Sequence, residues 1–316
     1  MLDVSLAMWG GFAALVVVML VADLRAFGGG EREVSLRSAA LWSVAWVAVA
    51  LGFGAVLWGW QGSQAGSEYL AGYLLERSLS LDNIFVFTVI FSYFAVPAAL
   101  QPRVLGWGIA LALVLRLVFI LLGTVLLSSL HATFYAFGAL LLYTAYKLAR
   151  HDDTDIDPEH NPALRLLRRR LPMTADYDGN RLFATVAGRR VATPLVAVFV
   201  VVATTDLVFA VDSIPAIFAV TTEPFIVFAA NAFAMLGLRA LYFVLARMVD
   251  RFYYLSYGLS AILAFIGAKM LLIDVWHPPI WLSLAVIVGV LAITIVLSWR
   301  RDPGDAGDAL PNPARP

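Results

Sequence analysis

Residues 104–128 read VLGWGIALALVLRLVFILLGTVLLS, an unbroken apolar run with one charge, Arg116, at its centre. A bilayer core of about 30 Å takes roughly 20 apolar helical residues per crossing, so this stretch reads as a membrane-spanning helix. A charge in mid-span costs a few kcal/mol and is a functional hypothesis by default. The rest of the chain repeats the pattern. Of 316 residues 61% are hydrophobic and only 14% charged, with a mean hydropathy of +0.84, far beyond what a soluble core needs.

Apolar runs bounded by charged or turn residues give nine predicted spans, at about 8–24, 39–60, 69–96, 104–128, 131–149, 193–220, 224–246, 253–273 and 279–299. The connections after spans one, three, five and seven carry Arg25, Arg32 and Arg37, then Arg103, then a basic loop from Lys147 to Arg190, then Arg247 and Arg251. The intervening connections, 61–68, 129–130, 221–223 and 274–278, carry no Lys or Arg. By the positive-inside rule the N-terminus lies outside and the C-terminus is cytoplasmic. Nothing basic precedes the first apolar run, so it does not read as a cleaved signal. The expected organisation is one transmembrane domain over 1–300, with a cytoplasmic loop at 150–192 and a disordered cytoplasmic tail at 301–316. In the loop, Asn161-Pro162 reads as the start of a short helix ending near Arg170, whose leucines and arginines suit the inner leaflet. Phe183 to Val191, turning at Ala187-Gly188, reads as a small hairpin. The acidic run Asp152, Asp153, Asp155, Asp157 and Glu159 reads as a solvated loop.

Two segments carry intramembrane acids. Span three has Glu76-Arg-Ser-Leu-Ser-Leu-Asp82-Asn83-Ile84, and span six has Asp206-Leu-Val-Phe-Ala-Val-Asp212-Ser213-Ile214-Pro215. Both read acid, five residues, Asp, then Asn or Ser, then Ile. Three spans per repeat place the copies in opposite orientation, as in secondary transporters with a midplane site. Arg116 in span four is matched by Arg239 in span seven, and Phe134-Tyr135 opening span five by Tyr253-Tyr254 opening span eight. The predicted fold is therefore all-α, about nine transmembrane helices with two inverted three-helix repeats, about 69–149 and 193–273.

Residues six apart on a continuous helix lie about 9 Å apart along the axis and about 120° apart around it. Glu76 and Asp82 then cannot meet at one point, so either the helix breaks or each acid serves a different stage. Ser78, Ser80, Asp82 and Asn83 compete for backbone hydrogen bonds, and Pro215 removes one, so broken helices are expected. Glu76, Asp82, Asn83, Asp206, Asp212 and Ser213, with Thr205 and freed carbonyls, would form an all-oxygen cage suited to Mn²⁺, Mg²⁺ or Ca²⁺ as substrate. No cysteine is present, and His131, His151, His160 and His277 lie at span ends or in the loop, which argues against copper or zinc. The alternative is that the acids pair with Arg77, Arg116, Arg239 and Lys269 to hold helices together; the reading adopted is mixed, with the bases keeping the acids ionised when no metal is bound. No nucleophilic constellation assembles in the membrane, so an enzyme is not expected, nor a cofactor, nor a nucleic-acid partner. Gly28-Gly29-Gly30 reads as a turn rather than a phosphate loop, and the tryptophans near span ends as interface anchors in contact with lipid.

At these motifs the chain resembles the TerC/Alx family of bacterial integral membrane proteins. The matching residues are Glu76 to Phe87, Thr205-Asp206 to Ile217, Asn231, Leu236-Gly-Leu-Arg239-Ala-Leu-Tyr-Phe and Gly267-Ala-Lys269. The resemblance implies the cytoplasmic membrane, manganese export, a link to tellurium-resistance operons and, in some members, metallation of secreted enzymes. By it the acids that matter are Glu76, Asp82, Asp206 and Asp212, with Arg116, Arg239, Lys269 and Asn231 balancing charge or gating. Family members often carry Glu at the position of Ala203 and Thr-Ser at Ala229-Ala230. Closely spaced carboxylates could also exchange protons for metal. Two rivals stand beside metal export: a tellurite or oxyanion factor using Arg116 and Arg239, and a membrane metallation or assembly partner of other proteins.

Overall fold

The computed structural model describes residues 4–28, 35–150, 161–186, 188–246, 254–276 and 278–300, and the structural statements that follow concern these. Arg32, the acidic run with His151 and His160, Arg247, Arg251, Tyr253, His277, Gly29-Gly30 and the tail from Arg301 lie outside them.

The chain is all-α apart from one hairpin. Its elements are α1 (Leu6–Gly28), α2 (Leu36–Tyr93), α3 (Gln101–Ser129), α4 (Ala132–Ala149), α5 (Pro162–Arg170), β1 (Phe183–Val186), β2 (Arg189–Ala192), α6 (Pro194–Phe218), α7 (Pro224–Leu236), α8 (Leu238–Leu245), α9 (Leu255–Leu271) and α10 (Ile280–Arg300). Proline stands in the first turn of α3, α5, α6 and α7, where its missing N–H costs nothing. Ser35 caps α2 by accepting from the Ser38 amide at 3.2 Å.

α2 joins predicted spans two and three. At Gly62 the backbone turns through φ +92°, a conformation that favours glycine, and the chain folds back on itself. The Tyr69 hydroxyl donates to the Ala50 carbonyl at 3.0 Å; on a straight helix those residues would lie about 28 Å apart. The predicted span seven is also not one straight helix. α7 and α8 meet at Gly237 with a bend of 42°, where Arg77 donates to the Ala234 carbonyl at 2.9 Å. A side chain inserted in the ladder is a recognised cause of a kink. The breaks expected beside the acids do not occur. α2 runs unbroken through Ser78 to Asn83, and α6 through Pro215, which sits in its last turn. Ser78 instead bonds back to the Leu74 carbonyl within the helix.

Five of these helices are long and apolar enough to cross a membrane, six if the bent α7–α8 pair is one span. α3 shows why lipid is the solvent. Val114, Val118, Leu121, Leu122 and Val125 are exposed, whereas Leu113, Arg116, Ile120 and Gly123 are buried. The polar side chain points inward and the apolar face outward, as lipid demands.

α7 forms the centre, with every residue from Phe225 to Leu236 buried. The α2 hairpin and α3 pack on it, α3 also packs on α6, and α4 runs along α9. The short helix and the hairpin expected in the loop are both present. Asn161 caps α5 by accepting from the Ala163 and Leu164 amides at 2.9 and 3.2 Å. β1 and β2 pair antiparallel, with Phe183 opposite Ala192, through a turn where Gly188 has φ +77°. α5 buries Leu164 while Leu166 stays exposed, so one face docks on the bundle beside α6 and the other is free.

Candidate functional site

Four helices place polar side chains around the middle of the bundle. Arg116 comes from α3, Glu76 from the second arm of α2, Asp206 and Ser213 from α6, and Asn231 from α7. All five are buried, Glu76 and Arg116 to 1% exposure. The Arg116 guanidinium donates to Glu76 and to Asn231 Oδ1, and to Ser213 Oγ at 3.1 Å. Its Nε lies 3.8 Å from Asp206 Oδ2. Glu76 and Asp206, the matching first acids of the two motifs, thus converge on one guanidinium.

Two ionised carboxylates against one guanidinium leave a formal excess of one negative charge. Several buried atoms also lack a hydrogen-bond partner: Glu76 Oε2, Asp206 Oδ1, Arg116 Nε and Asn231 Nδ2. Each such atom costs about 1–3 kcal/mol, so the cluster is poorly satisfied as it stands. Orphaned oxygens on both carboxylates are what a site that accepts a hard cation would present.

The second acids do not join them. Asp212 is half-buried and accepts from Thr144 of α4 at 2.9 Å. Asp82 is also half-buried, and Asn83 is buried on α2. Because both helices stay continuous, the separation of about 9 Å per six residues is kept. Among the described residues no group of three or more His, Cys, Asp or Glu gathers at one point, so the four-acid cage is not present in this conformation.

The other bases have separate partners. Arg239 pairs with Asp23 of α1 at 2.9 Å and donates to the Pro102 carbonyl at 3.2 Å. Trp46 donates its indole N–H to Asp23 at 3.3 Å. Lys269 donates to the Ala219 carbonyl at 2.9 Å and to Ser283 at 3.3 Å, placing a positive charge on the C-terminal end of α6. Asp23 is the residue that sequence reasoning missed. Its signal was available, an acid just inside the end of the first apolar run, but its partner lies 216 positions away.

The family model described as "Integral membrane protein TerC family" matches residues 61–304. An uncharacterized membrane protein of Myxococcus xanthus is 47% identical over 308 residues, 96% of this chain and 97% of the relative. Proteins of Salmonella typhi and Escherichia coli K12, both carrying the provisional name membrane-bound redox modulator Alx, are 46% and 45% identical over 300 residues. Those alignments cover 92% of this chain, with 93% and 94% of the relatives. No solved structure matches the chain.

Proposed function

The chain belongs to the TerC family of integral membrane proteins, and from that premise we propose that it carries a hard divalent cation, Mn²⁺ first, across the bacterial cytoplasmic membrane by alternating access about Glu76 and Asp206. The observation that carries this reading is the convergence of those two acids on Arg116 with an unpartnered oxygen on each. Arg116 stands in for the cargo. While no metal is bound its guanidinium neutralises part of the acid charge, and an entering cation takes its place.

Alternating access needs two arrangements of similar energy, which an inverted repeat supplies. Three features support the nine-span, inverted-repeat path. Gly62 divides α2 into two arms, each long enough for a span. The second arm of α2 packs on α7, and α3 packs on α6, contacts that exchange under the repeat relation. α4 and α9, the third members, pack on each other. The outside N-terminus follows from the basic loops.

The oxyanion reading fares worse on this geometry. Arg116 faces two carboxylates and Arg239 is paired with Asp23, so an oxyanion would enter a site that repels it. The relatives' redox name fits the same carrier differently. The chain has no cysteine, so thiol–disulfide exchange within it does not account for that name, whereas carriage of a redox-active metal such as Mn²⁺ does.

The test is flux into liposomes holding the purified protein, with an imposed pH gradient and Mn²⁺, Mg²⁺, Ca²⁺ or Zn²⁺ outside. Glu76→Gln and Asp206→Asn should each lower Mn²⁺ flux at least about tenfold, an effect of roughly 1.4 kcal/mol. Parental flux in both variants, at equal expression, sinks the proposal.

A further inference from the structure

A cavity of about 500 Å³ lies at one end of the bundle, apart from the Arg116 cluster. Gln61, Gln64 and Glu68 line it from the turn of the α2 hairpin, Thr221, Thr222 and Glu223 from the α6–α7 connection, and Trp276 and Pro278 from the segment after α9. Those are three of the four connections without Lys or Arg, and Phe134, near the fourth, also borders it. Segments far apart in sequence therefore meet around one chamber on the face that the positive-inside rule puts outside the cytoplasm.

The polar side of the chamber carries the side-chain oxygens of Gln61, Gln64, Glu68, Thr221, Thr222 and Glu223, opposite an apolar remainder. Glu68 is fixed by Gln64, which donates to one carboxylate oxygen at 3.0 Å, and by Thr221, which donates to the other. Each oxygen keeps a further lone pair. Among the described lining residues the acids Glu68 and Glu223 outnumber the one base, Lys269, whose ammonium is bonded to the Ala219 carbonyl and Ser283 and attracted to Glu68. A cation with six waters needs roughly 180 Å³ at about 30 Å³ per water, so the volume suits a hydrated ion.

Phe218 also lines the chamber. Its ring packs where Gly123 has no side chain, since a Cβ there would come within 2.6 Å of it. Phe218 follows Ser213 of the central cluster by five residues, about 7.5 Å along α6.

We propose that this chamber is an outer station for a hydrated divalent cation, held by Glu68 with Glu223 and Thr221 and distinct from the Glu76/Asp206 site, none of whose residues line it. It rests on the carrier reading for its cargo but uses none of the same ligands. The ion meets Glu68 with its water shell largely intact, exchanging one or two waters for carboxylate and hydroxyl oxygens.

The experiment is a titration of the full-length protein in lipid nanodiscs with Mn²⁺ alone, free ion read by its electron paramagnetic resonance signal. The parent should show two classes of site. Glu68→Gln should remove one class, with at least about a tenfold loss of affinity, and leave the other unchanged. Thr221→Val, which frees Glu68 without deleting its charge, should weaken that class by about tenfold or somewhat less. Glu76→Gln should remove the other class and keep the outer one. Parental binding in both Glu68→Gln and Thr221→Val overturns the outer station and leaves the carrier reading standing. Loss of the outer class in Glu68→Gln, with no class sensitive to Glu76→Gln, supports the station and overturns the carrier reading. A parent that binds no Mn²⁺ overturns both.

Discussion

Asp23 of α1 and Arg239 of α8 form an ion pair at 2.9 Å with each residue only 1% exposed. The Trp46 indole on one side and the Pro102 carbonyl on the other complete it, so α1, α2, α3 and α8 are tied at one point. α1 precedes the residues matched by the family model, yet it supplies the acid that balances Arg239. Removing one member of a buried pair strands the other, at a cost of about 3–5 kcal/mol. Asp23→Ala should therefore lower stability by that amount in detergent unfolding, and Asp23→Ala with Arg239→Leu should recover most of it. A double variant as unstable as the single one would show that the charge balance is not the stabilising element.

Arg116→Gln leaves Glu76 and Asp206 facing each other with no guanidinium between them. If Arg116 is the resident counter-ion, Mn²⁺ should bind at least about tenfold more tightly and turn over more slowly, because nothing displaces the ion for release. Equilibrium binding and liposome flux on the same preparation check this. Weaker binding together with unchanged flux would assign Arg116 a structural role instead.

Asp212 and Thr144 link α6 to α4 away from the cluster. Asp212→Asn should slow Mn²⁺ flux severalfold while equilibrium Mn²⁺ binding to Glu76 and Asp206 stays near parental, the separation expected for an acid that serves a different stage. Loss of both together would place Asp212 among the binding ligands.

Gly138 and Gly267 bring α4 and α9 together. A Cβ on Gly267 would lie 2.9 Å from the Gly138 carbonyl oxygen, and one on Gly138 3.0 Å from that of Gly267. Backbone cannot yield as a side-chain tip can, so Gly267→Ala should cost about 1–3 kcal/mol by overpacking. Thermal unfolding in nanodiscs would measure it, and an unchanged midpoint would mean the two helices separate freely.

Asn161 both caps α5 and donates to Thr204 of α6 at 2.9 Å. Asn161→Ala should cost about 0.5–2 kcal/mol, confined to the loop, and faster proteolytic nicking between residues 161 and 192 would report it.

Much of this was legible in the chain. The apolar runs located the helices because lipid leaves a backbone no alternative to satisfying itself. Asn161-Pro162 and Ala187-Gly188 placed α5 and the hairpin because caps and turns are local chemistry. The six-residue spacing of Glu76 and Asp82 already required that they not converge on an unbroken helix, and on unbroken helices they do not. The sites of bending were not legible. Pro215 looked like a break, but α6 continues through it to Phe218 and gives up only the bond from position 215 to the Val211 carbonyl, whereas Gly237 bends where Arg77, 160 positions earlier, takes the Ala234 carbonyl of the preceding turn.

The sequence by itself determined the solvent, the helices and the short roster of intramembrane charges, all consequences of composition and local spacing. Tertiary structure alone decided the partners. It set Glu76 and Asp206 on Arg116, gave Arg239 to Asp23, and gathered Glu68, Thr221 and Trp276 around one chamber. Pairing of buried charges depends on which helix faces meet in three dimensions, and a one-dimensional pattern of acids and bases fits several such pairings equally well.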